Sequence, residues 1–228
     1  MFDAARPAAA GAGVDARGPG VPAAASRTRP LIAALVLAAG KASRYRAAGG
    51  AAPTKLVADY RGKPLVRWAV EAALAARTRP VTVVTGHARA EVEAALAGLD
   101  VRFVHNPDFA EGLSTSLRAG LAALGAEVAG AVVLLGDMPD AAAQTIDALI
   151  DAFVAADADA AIPVFAGARG NPGLLGRALF ARAAQLTGDE GARGLLRGLE
   201  PARLLSVSVA DAGIGRDIDT PDDLQALA

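Results

Sequence analysis

The sequence predicts an α/β protein with a mostly parallel central sheet that is covered by helices on both sides. Short apolar runs of strand length alternate along the chain with segments whose apolar residues recur at helical spacing. The apolar runs are continuous rather than alternating, which is typical of strands buried on both faces of a parallel sheet. Hydrophobic residues make up 53% of the 228 residues, so the chain can bury a large core and is not disordered as a whole.

The first predicted strand begins at Leu31 and ends at Leu37, before Gly40. Five further apolar runs are predicted strands, at residues 81–85, 101–105, 131–135, 160–164 and 204–209. Alternation of strands with helices implies that the strands are mostly parallel. Because ligands of such sheets bind beyond the carboxyl ends of the strands, functional residues are expected in the loops that follow the strands.

The first long helix is predicted over residues 64–76, where Leu65, Trp68 and several alanines share one face and Glu71 points away. Helical spacing also covers residues 91–96, 114–124, 141–156 and 174–186. Near the end of the chain Thr220 is a predicted N-cap, followed by proline at the first helical position and by acidic residues in the first turn.

Residues 1–30 differ in composition from the rest of the chain. They combine Ala, Gly and Pro with four Arg and two Asp and show no periodic apolar face. Pro7, Gly11 and Asp15 interrupt what would be the apolar core of a signal peptide, so we predict a flexible tail. Residues 31–228 contain no repeat and no internal linker and are predicted to form one domain. No run of about 18 apolar residues exists to span a membrane, and we expect a cytoplasmic protein.

Composition excludes several kinds of site. The absence of Cys excludes disulfides, Cys-ligated zinc, iron–sulfur clusters and thiol nucleophiles. The 23 Lys and Arg nearly balance the 24 Asp and Glu, which argues against a surface for nucleic acid. The two histidines, His87 and His105, are predicted to end strands and to form local hydrogen bonds, because no G-x-S-x-G serine is present to complete a nucleophilic relay.

The loop after the first strand, residues 37–55, has the composition of a phosphate-binding loop. Small residues at positions 38–40 let backbone N–H groups approach a phosphate or the edge of a base. Arg44 is a forked donor for phosphate oxygens, and Lys55 adds a compact positive charge. Neither the P-loop pattern nor the dinucleotide-binding pattern fits this stretch. The alternative is an ordinary solvated loop with two surface cations.

Acidic residues follow a buried strand and precede the last helix. Asp137 lies at the carboxyl end of a strand, shortly before Pro139, where it would hold Mg²⁺ together with substrate phosphates. The alternative is an Asp that only forms a turn. In the extended stretch 217–219 the two carboxylates point to opposite faces, so one of them joins Asp137, and Asp219 is our choice. An acidic cluster that only caps the last helix is the alternative there.

Residues 106–120 form a further candidate loop. Gly112 marks a flexible backbone position. Ser114 or Ser116 is predicted to cap the following helix and to leave N–H groups facing a ligand. Helix capping without any ligand is the alternative.

Taken together in this order, these stretches resemble the nucleotidyltransferases that act on the molybdenum cofactor, and among them most closely the cytidylyltransferases. The matching stretches extend over nearly the whole domain. They are Leu-Ala-Ala-Gly-Lys-Ala-Ser-Arg (37–44), Lys-Leu (55–56), Gly-Lys-Pro-Leu (62–65), Val-Thr-Gly-His (84–87), Asn-Pro (106–107), Gly-Leu-Ser-Thr-Ser-Leu (112–117), Gly-Asp-Met-Pro (136–139), Gly-Asn-Pro (170–172), Gly-Asp-Glu-Gly-Ala-Arg (188–193) and Asp-Ile-Asp-Thr-Pro (217–221).

The resemblance implies a Rossmann-like, three-layer nucleotidyltransferase fold. It also implies transfer of CMP from CTP to the phosphate of molybdopterin, with release of pyrophosphate. The catalytic residues that it implies are Lys55, Arg44 and Asp137, and the implied Mg²⁺ ligands are Asp137 and Asp219. The implied pterin contacts are Asp189 and Arg193. The implied nucleotide contacts are Leu37, Ala38, Ala39, Gly40, Gly112 and Ser116. Tyr-Arg stands where relatives commonly have Met-Gly after the arginine, which leaves Arg46 as the alternative to Arg44.

The resemblance also bears on the choice of base and partner. Leu-Ala-Ala-Gly is associated with cytidylyl members and Leu-Ala-Gly-Gly with guanylyl members, and the Cβ atom of Ala39 would narrow the pocket in favour of a pyrimidine. The implied recipient of the product is a molybdoenzyme of the xanthine dehydrogenase type. Two alternatives remain open: a guanylyl or sugar-phosphate nucleotidyltransferase on the same fold, and a non-catalytic protein that binds and delivers the molybdenum cofactor.

Overall fold

The computed structural model describes residues 29–156 and 158–226. An eight-stranded sheet lies at the centre, and a two-stranded hairpin forms separately. The strands are β1 Leu31–Ala38, β2 Asp59–Tyr60, β3 Lys63–Pro64, β4 Val81–Thr85, β5 Arg102–His105, β6 Val128–Leu135, β7 Ala160–Phe165, β8 Ala168–Arg169, β9 Gly173–Gly176 and β10 Leu204–Ser208. The helices are α1 Ser43–Ala47, α2 Leu65–Ala75, α3 Arg89–Ala95, α4 Leu113–Ala122, α5 Ala143–Ala155, α6 Gly191–Leu196 and α7 Pro221–Ala226.

The sheet is mostly parallel, as the sequence predicts. Its strand order is β10-β7-β9-β6-β1-β4-β5, with β8 added to β7. Strand β1 pairs in parallel with β4 on one side and with β6 on the other. Strand β5 pairs in parallel with β4, and strand β10 pairs in parallel with β7. Strand β9 runs antiparallel between β6 and β7. The six predicted apolar runs correspond to the six strands that pair in parallel.

Helices cover both faces of the sheet and produce a three-layer architecture. Successive residues of β1 point to opposite cores: Ala34 and Val36 pack with residues of α2, α3 and α5, whereas Leu35 packs with residues of α4 and α6. A Cβ atom at Gly120 in α4 would lie 2.3 Å from Leu35 Cδ1, so glycine at this position permits the helix to lie close to the sheet. The double-sided burial explains why the central strands β1 and β6 are continuously apolar, whereas the outer strands β5 and β10 are more exposed.

The predicted helix over residues 174–186 is wrong. Gly173–Gly176 form strand β9, and two short 3₁₀ turns follow it as far as Gln185. Leu174 and Leu175 are both fully buried, one in each of the two cores. A short apolar run fits a strand or a helix equally well in the sequence, and burial on both faces of the sheet decides for the strand.

The described part of the chain bears on two predictions, the terminal tail and the absence of a membrane span. The flexible tail predicted over residues 1–30 falls outside them, except for its last two positions. Among the helices of the described ranges, none combines the length and the apolar character needed to cross a bilayer.

Candidate active site

A cavity of about 530 Å³ opens where β1 and β6 end. Most of the residues predicted to act in the site line this cavity: Leu37, Ala39, Gly40, Arg44, Lys55, Gly112, Ser116, Asp137, Asp189 and Asp219. Ala38 does not line it, because its side chain is 1% exposed and packs into the core beneath α2. Arg193 lines a neighbouring second cavity instead.

Backbone hydrogen bonds bring the two predicted metal ligands together. The N–H of Gly136, just after β6, donates to the carbonyl of Leu37 over 3.0 Å, and the N–H of Ile218 donates to the carbonyl of Asp137 over 3.0 Å. Ile218 is fully buried against Tyr60 and Leu65, which anchors the segment before α7. This anchor holds Asp219 beside Asp137 although they are distant in sequence.

The two acids that flank Ile218 face different cavities. Asp219 lines the first cavity and Asp217 lines the second. The sequence predicts this divergence, because neighbouring residues of an extended segment point to opposite sides.

Lys55 lies between the two carboxylates. Its Nζ atom is 2.7 Å from Asp137 Oδ2 and 2.7 Å from Asp219 Oδ1, and its side chain is 11% exposed. Arg44 donates to the other oxygen of Asp219 from the solvent side, with a side chain that is 78% exposed. Two cations and two carboxylates therefore lie at one wall of the cavity, where phosphate oxygens would exchange with the carboxylates as partners of the cations.

The charge state of Lys55 follows from these contacts. Burial lowers the pKa of its ammonium group, but the charges of Asp137 and Asp219 and their hydrogen bonds raise that pKa more, so that it lies above the usual 10.5. Lys55 is therefore a cation throughout the neutral range.

One carboxylate oxygen in the site has no partner. Asp137 Oδ1 is buried and forms no hydrogen bond with any group in the part of the chain that the structure describes. A buried carboxylate oxygen without a donor is costly, so this atom fits the role of a metal ligand. In the described residues no group of three or more His, Cys, Asp or Glu side chains is arranged to hold a metal. Two carboxylates completed by substrate phosphates are the arrangement that Mg²⁺ commonly adopts.

The loop after β1 packs around a tyrosine. Tyr45 in α1 is 4% exposed, and a Cβ atom at Gly50 would lie 2.2 Å from its ring. The glycine in this Ala/Gly-rich stretch therefore gives room to the ring. Of the two candidate arginines, Arg44 lines the cavity, whereas Arg46 is exposed and lies outside the lining of both cavities.

The N-terminus of α4 is capped by a distant loop. Helix α4 begins at Leu113, whose N–H donates to Asp189 Oδ1 over 3.2 Å. The N–H of Ser114 donates to the carbonyl of Gly188 over 3.0 Å. A Cβ atom at Gly112, which has a φ of 115°, would lie 2.4 Å from the Gly188 backbone, so the two loops meet at a glycine contact.

The predicted capping by Ser114 or Ser116 is wrong, because both serines lie inside the first turns of α4 and their side chains are not at the N-cap. An asparagine that sequence reasoning did not single out orients the second serine. Asn106 is 2% exposed, and its Nδ2 donates to Thr115 Oγ1 over 2.8 Å and to Ser116 Oγ over 3.0 Å. The sequence signals were its position directly after an apolar run and the Asn-Pro pair among the stretches that carry the resemblance.

The prediction that both histidines end strands is confirmed for His105, the last residue of β5. It is wrong for His87, which lies two residues beyond the end of β4 at Thr85. The Nε2 atom of His87 lies 3.2 Å from the carbonyl of Pro53, two residues before Lys55 and 34 residues away along the chain.

The predicted cap of the last helix is confirmed. Asp223 Oδ2 accepts hydrogen bonds from the N–H of Asp219 (3.0 Å) and from the N–H (2.8 Å) and hydroxyl (2.9 Å) of Thr220. Thr220 Oγ1 in turn accepts from the N–H of Asp223 over 3.2 Å. The hydrogen bond from the Asp219 backbone and those from Thr220 lower the pKa of Asp223. Asp223 is thus a positioning residue for Asp219.

Replacing Asp223 by alanine is expected to destabilise the protein by about 1 kcal/mol at pH 7 and to weaken the binding of Mn²⁺ in the presence of CTP. Since the pKa of Asp223 is lowered in the folded state, its contribution is present above the ordinary pKa and is lost as the pH falls through the folded-state value. Thermal melting at pH 7 and at about pH 3 measures the first effect, and calorimetric titration measures the second. Asp222→Ala, in the same turn but exposed, is the control. Equal metal affinity for the Asp223→Ala variant and the wild type would contradict the positioning role.

Comparison with known proteins agrees with this geometry. The family described as "MobA-like NTP transferase domain" matches residues 34–204. The chain belongs to this family. The description of the family identifies a nucleotidyltransferase domain, and the three-layer α/β fold predicted from the sequence is confirmed by the similarity to solved structures.

Two solved structures of one similar protein are informative. Rv0371c from Mycobacterium tuberculosis H37Rv is 30% identical, with a TM-score of 0.73 over 88% of this chain and 98% of its own. Its complex with manganese has a TM-score of 0.67 and covers 86% of this chain and 97% of its own at 30% identity. Nucleotidyltransferases of this fold use divalent metals, in agreement with the paired carboxylates.

Curated relatives carry different names. Molybdenum cofactor cytidylyltransferase of Escherichia coli (strain K12) is 31% identical over 63% of this chain and 71% of its own length. Nicotine blue oxidoreductase of Paenarthrobacter nicotinovorans is 30% identical over 87% of this chain and 97% of its own. Bifunctional protein GlmU of Anaeromyxobacter sp. (strain K) is 34% identical, but the match spans only 26% of its length. The names of these relatives indicate different activities, so the substrates of this chain must be argued from the site.

Proposed function

We propose that the protein transfers CMP from CTP to the phosphate of molybdopterin, with Mg²⁺ as the metal and pyrophosphate as the second product. The observation that carries this proposal is the position of Lys55, 2.7 Å from both Asp137 and Asp219 in a cavity at the carboxyl ends of β1 and β6. The similarity to a molybdenum cofactor cytidylyltransferase supports the choice of acceptor.

The chemistry needs no general base. The acceptor phosphate is already ionised near neutral pH, so its oxygen attacks the α-phosphorus of CTP directly. The bond from that phosphorus to the bridging oxygen of the β-phosphate breaks, and its electron pair leaves with pyrophosphate. The main barrier is the approach of two anions in the correct line and the charge that develops on the leaving group.

The side chains at the cavity wall would lower that barrier. Lys55 and Arg44 would orient the triphosphate and offset its charge, and this positive charge is already in place before reaction. Asp137 and Asp219 would hold the Mg²⁺, which when bound supplies further positive charge against the leaving pyrophosphate. The free oxygen of Asp137 is the ligand that is ready for it.

Ala39 is the residue that we propose to set the choice of base. It is 4% exposed, lines the first cavity, and would lie 2.8 Å from a Cβ atom at Gly86. Removing the Cβ atom widens this wall, so Ala39→Gly is expected to lower the CTP-to-GTP ratio of kcat/KM at least about tenfold. Ala88→Gly, outside the lining of both cavities and at a φ of 51°, is the control. An unchanged ratio in the Ala39→Gly variant would exclude this role.

Pyrophosphate release with CTP, Mg²⁺ and molybdopterin tests the proposed function directly. We expect release only when nucleotide, metal and acceptor are all present, and CTP to exceed GTP, ATP and UTP. Faster turnover with GTP, or with a sugar phosphate as acceptor, would replace the proposal by the corresponding transferase. Tight binding of molybdopterin without pyrophosphate release from any nucleotide would indicate a delivery protein.

A further inference from the structure

A second cavity of about 460 Å³ lies directly beside the first. The two cavities share a wall made by Leu37, Arg44, Leu113, Leu135 and Asp189. A molecule in the second cavity would therefore lie next to the phosphates held by Arg44 and Lys55. This position is the one that an acceptor must take to attack the nucleotide.

The lining of the second cavity combines an apolar surface with polar groups. Val133, Met138 and Ile214 supply the apolar part, and Asn171 and Asp217 supply hydrogen-bonding groups. Such a combination fits a flat heterocycle that stacks on apolar side chains and forms a few directed hydrogen bonds.

Two arginines of this cavity have no anionic partner. Several arginines of the described ranges form no ion pair with a carboxylate. Of these, Arg169 and Arg193 are the two that line a cavity, and both line the second one. Every other described arginine that lacks such a pair lies elsewhere on the molecule. A guanidinium group presents donors in a fork that matches phosphate oxygens.

The acidic residues of the second cavity form no ion pair with Arg169 or Arg193 in the part of the chain that the structure describes. Asp189 accepts the N–H at the start of α4, and Glu190 forms an ion pair with Arg197 over 2.6 Å. Asp189 and Asp217 keep their negative charges, so the cavity has no excess of positive charge. An anionic ligand is therefore favoured by the two arginines themselves, whose forked donors are not taken up by a carboxylate of the described residues.

The backbone that carries Arg169 is held firmly. Arg169 pairs with Val164 in the register of β7 and β8. The N–H of Gly170 donates to the carbonyl of Pro163 over 3.1 Å, and that of Asn171 donates to the carbonyl of Ile214 over 2.8 Å. A Cβ atom at Gly170 would lie 2.2 Å from that same Ile214 carbonyl oxygen, so only glycine allows this close approach.

We propose that Arg169 and Arg193 form an anion clamp for the phosphate of the acceptor, and that Arg169 determines the preference for a phosphate monoester carried on a flat heterocycle. This inference rests on the proposed function, because that function places a phosphate nucleophile beside the nucleotide. The clamp offsets the repulsion between the acceptor phosphate and the triphosphate, and the apolar surface holds the ring. The resemblance noted from the sequence implies Asp189 and Arg193 as pterin contacts, whereas the second cavity adds Arg169 on the β7–β8 hairpin.

The test compares Arg169→Ala and Arg169→Lys with Arg102→Ala, an exposed arginine on the edge strand β5 that lines neither cavity. We measure the KM for molybdopterin and for CTP in the pyrophosphate assay, and molybdopterin binding by anaerobic equilibrium dialysis without CTP. Loss of a charge-assisted hydrogen bond predicts that Arg169→Ala raises the KM and Kd for molybdopterin on the order of tenfold to a hundredfold. The KM for CTP should stay within about twofold, Arg169→Lys should recover part of the loss, and Arg102→Ala should match the wild type.

The outcomes separate the clamp from the proposed function. Unchanged KM and Kd for molybdopterin in Arg169→Ala, with normal turnover, would overturn the clamp and leave the function standing. A wild-type protein that releases no pyrophosphate but binds molybdopterin in an Arg169-dependent manner would overturn the function and support the clamp. An equal rise in the KM for CTP would also overturn the clamp, because it would show that Arg169 acts on the nucleotide.

Discussion

Replacement of Asp137 by asparagine is expected to remove almost all nucleotidyl transfer while the protein stays folded. Asp137 Oδ1 is buried without a partner, and Oδ2 contacts Lys55 Nζ at 2.7 Å. Asparagine keeps the size of the side chain but removes the charge that a divalent cation requires. We expect kcat to fall on the order of 10²–10³-fold, the usual effect of removing one element of charge stabilisation.

The matched control is Asp140→Asn, three residues further along the same loop. Asp140 forms ion pairs with Arg61 and Arg216, each over 3.1 Å, and lines neither cavity. It should retain wild-type turnover. Calorimetric titration of Mn²⁺ in the presence of CTP should show weaker metal binding for Asp137→Asn only. Wild-type turnover of the Asp137→Asn variant with Mg²⁺ would remove the basis for the metal site.

The parallel part of the fold could be predicted because each of its strands has a local signature. A run such as residues 81–85, which consists of three valines and two threonines, has the β-branched composition of a strand, and the structure buries it on both faces as strand β4. Strand β9 could not be predicted in this way. It is short, and the burial that identifies it comes from its position between β6 and β7, which is a property of the whole sheet.

Some residues of the candidate site could likewise be predicted from the sequence, and others could not. Lys55, Asp137 and Asp219 are predictable because each stands in a short stretch of unusual composition at the end of a strand or before a helix. Asp189 is implied by the resemblance, but its hydrogen bond to the N–H of Leu113 joins residues that are distant in sequence. Arg169 lines the second cavity because β8 pairs with β7. Sequence spacing carries no information on such contacts, so they could not be predicted.

Replacement of Lys55 by methionine is expected to lower turnover on the order of 10²–10³-fold and to make the stability of the protein depend on divalent metal. The methionine fills the space of the lysine stem but leaves Asp137 and Asp219 without their shared counter-ion, which should cost about 1–2 kcal/mol because both side chains are still about a quarter exposed.

Mg²⁺ would restore positive charge between the two carboxylates, so the rise in Tm on adding Mg²⁺ should be larger for Lys55→Met than for the wild type.

The pKa of Lys55 is raised in the folded state. The stabilisation that Lys55 provides is therefore complete at neutral pH and is lost as the pH rises through the folded-state pKa, where the wild type and Lys55→Met should converge in stability. Lys63→Met, outside both cavities and paired with Glu71, should show the wild-type response to Mg²⁺. Equal Mg²⁺-induced shifts in all three proteins would show that Lys55 and the metal do not share these carboxylates.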